Sequence, residues 1–143
     1  MTYKKEDWYT ARRRLEQARA IYEHYKDPSR DSPDPDELDL AVWNAWTFGE
    51  YAVNVVIECL GMDVPQNHTQ WLKAKDLFTS KQLVQDYSTT LELMERFRKK
   101  ASHLGYAKER STHYSSADML RCLVHMEALC EEVEAKLRER RKL

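Results

Sequence analysis

Residues 37–61 read ELDLAVWNAWTFGEYAVNVVIECLG, the most apolar run in a chain of 143 residues. Apolar side chains recur at Leu40, Trp43, Ala45, Trp46, Ala52, Val53, Val56, Ile57 and Leu60. Three-to-four spacing is the period of an α-helix, whereas a strand would alternate in twos. Asp34-Pro35-Asp36-Glu37 marks the start, because a side-chain acceptor, a proline in the first turn and acidic groups suit the unpaired N–H groups of a helix N-terminus. Gly61, followed by Pro65, marks the stop. Such a helix spans about 37 Å at 1.5 Å per residue, enough to run the height of a small bundle, and the other helices are expected to pack around it. Gly49, in its middle, costs about 1 kcal/mol relative to alanine and so predicts a close crossing there.

Working outward, a first helix is expected over 6–26, with Trp8, Ala11, Leu15, Ala18, Ile21, Tyr22 and Tyr25 on its apolar stripe. Arg12, Arg13, Arg14, Glu16 and Arg19 fall on its outer face. Consecutive helix positions point about 100° apart, so the Arg12-Arg13-Arg14 triplet cannot converge on one phosphate and reads as a solvated face. DPSRDSPDPD, residues 27–36, is a polar connection between two antiparallel neighbours.

Beyond Gly61, His68-Thr69-Gln70 opens a short helix to about Phe78, with Trp71, Leu72, Leu77 and Phe78 as apolar contacts. Thr79 or Ser80 is expected to cap a helix over 81–102 whose stripe is Leu83, Val84, Tyr87, Leu91, Met94, Phe97 and Ala101, with Gly105 as the left-handed residue that ends it. Ser115 or Ser116 caps the last helix, with Asp118 in its first turn and Met119, Leu120, Leu123, Met126, Leu129, Cys130, Val133 and Leu137 on its apolar side. Three glycines and four prolines leave little material for hairpins. The expectation is a single all-α domain over 1–143, an up-and-down four-helix bundle with one additional short helix.

With 23 basic and 24 acidic residues, bulk charge draws the chain to neither nucleic acid nor a membrane. No apolar run reaches the length of a membrane span, and the Thr2-Tyr3-Lys4-Lys5 start lacks the apolar segment of a signal peptide, so a cytoplasmic protein is expected. Cys59, Cys122 and Cys130 are odd in number and form no C-x-x-C pair, which reads as buried thiols in a reducing compartment. None of the five histidines has a glutamate three residues before it, and no two share i, i+4 spacing, so neither a di-iron site nor a local metal pair is encoded. Serine-nucleophile elbows, P-loops and dinucleotide fingerprints are absent as well, and no cofactor is expected. His125, beside the last apolar stripe, reads as a half-buried, hydrogen-bonded histidine.

RFRKKASHLGY, residues 96–106, remains. Arg98 precedes His103 by four intervening residues, and Arg96 precedes it by six. Here the chain resembles the HEPN family, helical-bundle proteins of which many are metal-independent ribonucleases marked by an arginine, four to six intervening residues and a histidine near a helix end. The resemblance implies Arg98 and His103 as catalytic residues in a site completed by a second protomer, so that two arginines and two histidines line a shared cleft. It implies RNA as substrate, with Arg96, Lys99 and Lys100 attracting the backbone and Tyr106 stacking on a base. Glu50 and Asn54, one turn apart on the central helix, would support Arg98; otherwise they belong to a solvent stripe with Asn44, Thr47 and Glu58. A toxin-like effector with a neutralising partner protein fits the same family, and a bundle that keeps the fold as an interaction protein without chemistry is the competing reading. Arg19 and His24 repeat the four-residue gap at a place where nothing else suggests chemistry, so position and not spacing distinguishes the motif.

Overall fold

In the computed structural model the chain forms five helices: α1 (Lys5–Tyr25), α2 (Pro35–Cys59), α3 (Gln70–Thr79), α4 (Ser88–Leu104) and α5 (Ser116–Glu139). The structure describes residues 5–29, 34–104 and 115–140, and for 5, 6, 35 and 98–104 it describes the backbone alone. The described residues contain no strand. No described helix is long and apolar enough to cross a membrane.

The ends of α2 and α5 follow from local chemistry. Asp34 caps α2, its carboxylate accepting from the Asp36 N–H, with Pro35 as the first helical residue. Ser115 caps α5 in a full capping box: its hydroxyl accepts from the Asp118 N–H while the Asp118 carboxylate accepts from the Ser115 N–H. That hydrogen bond and Arg121 together hold the Asp118 carboxyl below its ordinary range.

Helix α2 packs against each of the other four helices. Ala41, Val42, Ala45, Phe48, Ala52, Val53, Val55, Val56 and Ile57 are all buried, so apolar side chains wrap most of its circumference along its second half. Gly49 faces both α4 and α5. A Cβ there would sit 2.6 Å from Leu91 Cδ2 and 2.9 Å from Met126 Sδ, so the absence of a side chain is what permits the crossing. Trp8 of α1 packs on Phe48 with ring centroids 5.7 Å apart.

Several expectations need correction. Leu40 and Trp43 are 53% and 42% exposed, and the buried register of the first half of α2 runs instead through Leu38, Ala41, Val42 and Ala45. Leu72, Phe78 and Val84 are also exposed. Arg12 and Arg19 are not a solvated face: Arg12 Nη1 bonds Glu134 at 2.9 Å, and Arg19 grips both oxygens of Glu127, at 3.0 and 2.5 Å, so the two arginines tie α1 to α5.

Helix α4 begins at Ser88, seven residues after the expected 81. Thr79 closes α3, and Lys81 takes a left-handed conformation (φ +64°) that lets the Gln82 and Leu83 N–H groups return to the Leu77 carbonyl at 2.8 and 3.1 Å. Asp86 then accepts from both the backbone N–H and the hydroxyl of Ser88, a cap that starts the helix and holds the Asp86 carboxyl below its ordinary range. Between these ends the Val84 and Gln85 N–H groups and the Tyr87 hydroxyl all donate to one carboxylate, Glu132 of α5. Gly105, expected to end α4, lies outside the described residues.

Candidate functional site

The motif residues sit on the last turns of α4, whose backbone is helical through Leu104. Positions 96 and 103 are seven apart, close to two turns, and so share a helix face; 98 and 103, five apart, are separated by about 140°. Arg96 is exposed, whereas Met94, Glu95 and Phe97 are buried, so α4 is packed into the core at the turn that leads into the motif. The side chains of Arg98, Lys99, Lys100 and His103, and all of Tyr106, lie outside the described residues. Met94, one turn before position 98, is among the residues packed around Gly49 of α2.

Glu50, the residue after Gly49, holds His68 with Oε1 2.7 Å from Nδ1. A turn further along, Asn54 Oδ1 accepts from Gln70 Nε2 at 3.3 Å. These two contacts fasten the start of α3 to α2. Neither residue is part of a plain solvent stripe, and Asn44, placed in the same stripe by sequence, is buried and donates to the Leu40 carbonyl at 2.9 Å. Sequence alone assigns His68 no catalytic role. Its backbone is left-handed (φ +59°), a conformation that costs a non-glycine residue on the order of 1 kcal/mol. Its ring is half exposed and lies 5.3 Å from the ring of the buried Trp46. Trp43 packs on Trp46 with ring centroids 5.5 Å apart.

A second polar cluster surrounds Tyr87. Its ring is fully buried and stacks on His125 at 4.4 Å, and its hydroxyl is held by Glu132. Burial, then the adjacent carboxylate, pushes the phenol far above its ordinary range, so Tyr87 is a neutral donor. His125 Nδ1 lies 2.6 Å from Thr90 Oγ1, and burial lowers the ring's pKa below 6.5, in keeping with the half-buried, hydrogen-bonded histidine expected here.

Burial pushes both the Cys122 and Cys130 thiols up to about 12, so neither is a thiolate at neutral pH, and all three cysteines are free. A groove of about 500 Å³ between α1 and α5 is lined by Arg12, Leu15, Arg19, Glu127 and Cys130, but its two arginines are already paired across it. Among the described residues no three histidine, cysteine or acidic side chains come together as metal ligands.

The chain matches no family model, no curated protein and no solved structure.

Proposed function

We propose that this chain is a HEPN-like, metal-independent endoribonuclease of the toxin-like kind, built as an up-and-down four-helix bundle with α3 as the additional short helix. The observation that carries the reading is the placement of Arg98 and His103 on the final helical turns of α4, following the buried Met94, Glu95 and Phe97. Cleaving RNA without a metal requires a base for the 2′-hydroxyl, an acid for the leaving 5′-oxygen and a cation at the phosphate, and histidine and arginine fill these roles at neutral pH. Arg96, exposed on the same helix, adds charge for the backbone, with Lys99, Lys100 and Tyr106 beside it in sequence. Two-fold pairing of protomers would bring two motifs together. The exposed Leu40 and Trp43 supply apolar surface for that contact.

Purified protein should cleave single-stranded RNA in the presence of EDTA. His103→Ala and Arg98→Ala should each lower the rate by about 10²–10⁴-fold while leaving the fold intact. Wild type that cleaves no faster than the double variant, across several RNA substrates, would refute catalysis.

A second reading, a bundle that binds a protein partner without chemistry, is favoured by the same exposed Leu40 and Trp43. Lys99 points the same way, since active HEPN members usually carry a small polar residue after the motif arginine.

A further inference from the structure

Base and acid must act on opposite sides of the same phosphorus, so the motif histidine needs a second proton-transfer group, from the partner's motif or from elsewhere in the same protomer. We propose that His68 is the general base, positioned by Glu50, and that His103 is the acid; this rests on the ribonuclease reading. Four observations carry it. Glu50 Oε1 accepts from His68 Nδ1 at 2.7 Å, which fixes the tautomer and leaves the Nε2 lone pair of the neutral ring to take a proton. The Glu50 side chain is 14% exposed and that of His68 is 52% exposed, so the orienting carboxylate is withdrawn while the ring it orients faces outward. Trp46 backs the ring at 5.3 Å and restricts its rotation. The backbone accepts a left-handed conformation at a non-glycine residue to put the ring there.

Glu50 stands at nearly the same height on α2 as Gly49, whose missing Cβ faces Met94, and position 98 lies one turn beyond Met94 on α4, about 6 Å along that helix, so the pair and the motif are at similar levels of the bundle. In the reaction, His68 Nε2 takes the 2′-hydroxyl proton as the 2′-oxygen attacks phosphorus. The P–O5′ bond breaks with its electron pair going to O5′, which takes a proton from the His103 imidazolium. The products are a 2′,3′-cyclic phosphate and a free 5′-hydroxyl, and proton exchange with water resets the two histidines. Glu50 touches no substrate and acts by orienting His68.

The test separates a proton-transfer role from the structural one of fastening α3. His68→Asn tolerates the left-handed backbone and can still donate to Glu50, but it cannot transfer a proton at neutral pH. It should keep the melting temperature and lower kcat/KM by about 10²-fold or more, abolishing the limb of the pH–rate profile that reports the base. Glu50→Gln keeps an acceptor for Nδ1–H and removes the charge that faces the imidazolium as it forms, so a smaller loss, about 10-fold or more, is expected with the melting temperature kept. In parallel, an oligonucleotide with 2′-O-methyl sugars, which cannot be cleaved, should shift the His68 ring resonances in NMR spectra of the wild type. Cleavage by His68→Asn with an unchanged profile overturns this inference and leaves the ribonuclease reading standing. Wild type that neither cleaves RNA nor shows the ring shift overturns both.

Discussion

Glu132 offers the sharpest test of the packing. Its carboxylate receives the Tyr87 hydroxyl and the Val84 and Gln85 N–H groups, and so holds the whole α3–α4 connection against α5. In Glu132→Ala the Tyr87 hydroxyl would remain in a ring that is 0% exposed, with its acceptor gone. An orphaned buried donor costs about 1–3 kcal/mol, whereas the N–H groups of the exposed Val84 and Gln85 can turn to water and add about 0.5 kcal/mol each. The expected loss is about 2–4 kcal/mol. For a chain of this size 1 kcal/mol moves Tm by about 3–4 °C, so Tm should fall by roughly 6–16 °C. Tyr87→Phe removes donor and hydroxyl together, keeps the stack on His125, and leaves Glu132 its two N–H donors; it should cost about 1 kcal/mol or less. The double variant should therefore be less destabilised than the sum of the two, by about 1 kcal/mol or more. Thermal denaturation of the three variants measures all of this. Equal losses in Glu132→Ala and Tyr87→Phe, with additive behaviour in the pair, would refute the argument that the orphaned hydroxyl dominates.

Other consequences can be checked in the same way. Gly49→Ala gains about 1 kcal/mol of helix propensity but forces a Cβ against Leu91 and Met126 from two different helices, where overpacking costs about 1–3 kcal/mol; a lowered Tm is expected, and an unchanged or raised one would count against the close crossing. His125 is held below its ordinary 6.5 by burial, so the unfolded chain takes up its proton first as pH falls, and stability should drop from about pH 6.5 downward. The difference in unfolding free energy between wild type and His125→Gln should change across that window, and a pH-independent difference would contradict the burial argument. Light scattering at tens of micromolar, a concentration chosen for a dimer of roughly micromolar affinity, should report a dimer, and Trp43→Ser should weaken it; a monomer would count against the shared cleft.

Most of the helices were legible because their signals are local. The Asp34-Pro35 start of α2, the Ser115–Asp118 box and the need for a glycine at position 49 all act within one or two turns, or announce themselves by residue type. The start of α4 was not legible. Leu83, Val84 and Tyr87 imitate a helical stripe, and the carboxylate that satisfies the Val84 and Gln85 N–H groups in a non-helical conformation comes from Glu132, on another helix. No local pattern displays such a partner. The exposure of Leu40 and Trp43 was missed for a related reason: periodicity identifies an apolar helix but not which part of its circumference the neighbours cover. At the candidate site, α4 could be read as the carrier of Arg98 and His103, while His68 could not be found, because its link to Glu50 spans eighteen residues and its left-handed backbone leaves no mark on a histidine.

Arg19 and His24 carry the same four-residue spacing as Arg98 and His103, and what the fold does with Arg19 shows why spacing alone is uninformative. The Arg19 guanidinium meets both oxygens of Glu127 and one of Glu23, and the Glu127 bond, the largest influence on it, favours its charged form. A guanidinium with two carboxylates against it is electrostatically screened from a phosphate, so it cannot serve as a clamp without giving up those bonds. Arg19→Ala should therefore destabilise the α1–α5 contact. The effect should be modest, about 1 kcal/mol, because the two side chains are 28% and 40% exposed and water screens the pair. It should not alter kcat/KM measured well below the melting temperature. His24 is exposed, and His24→Ala should leave kcat/KM unchanged. Loss of RNA cleavage in Arg19→Ala, with the fold intact, would mean that the wrong end of the molecule has been assigned to the chemistry.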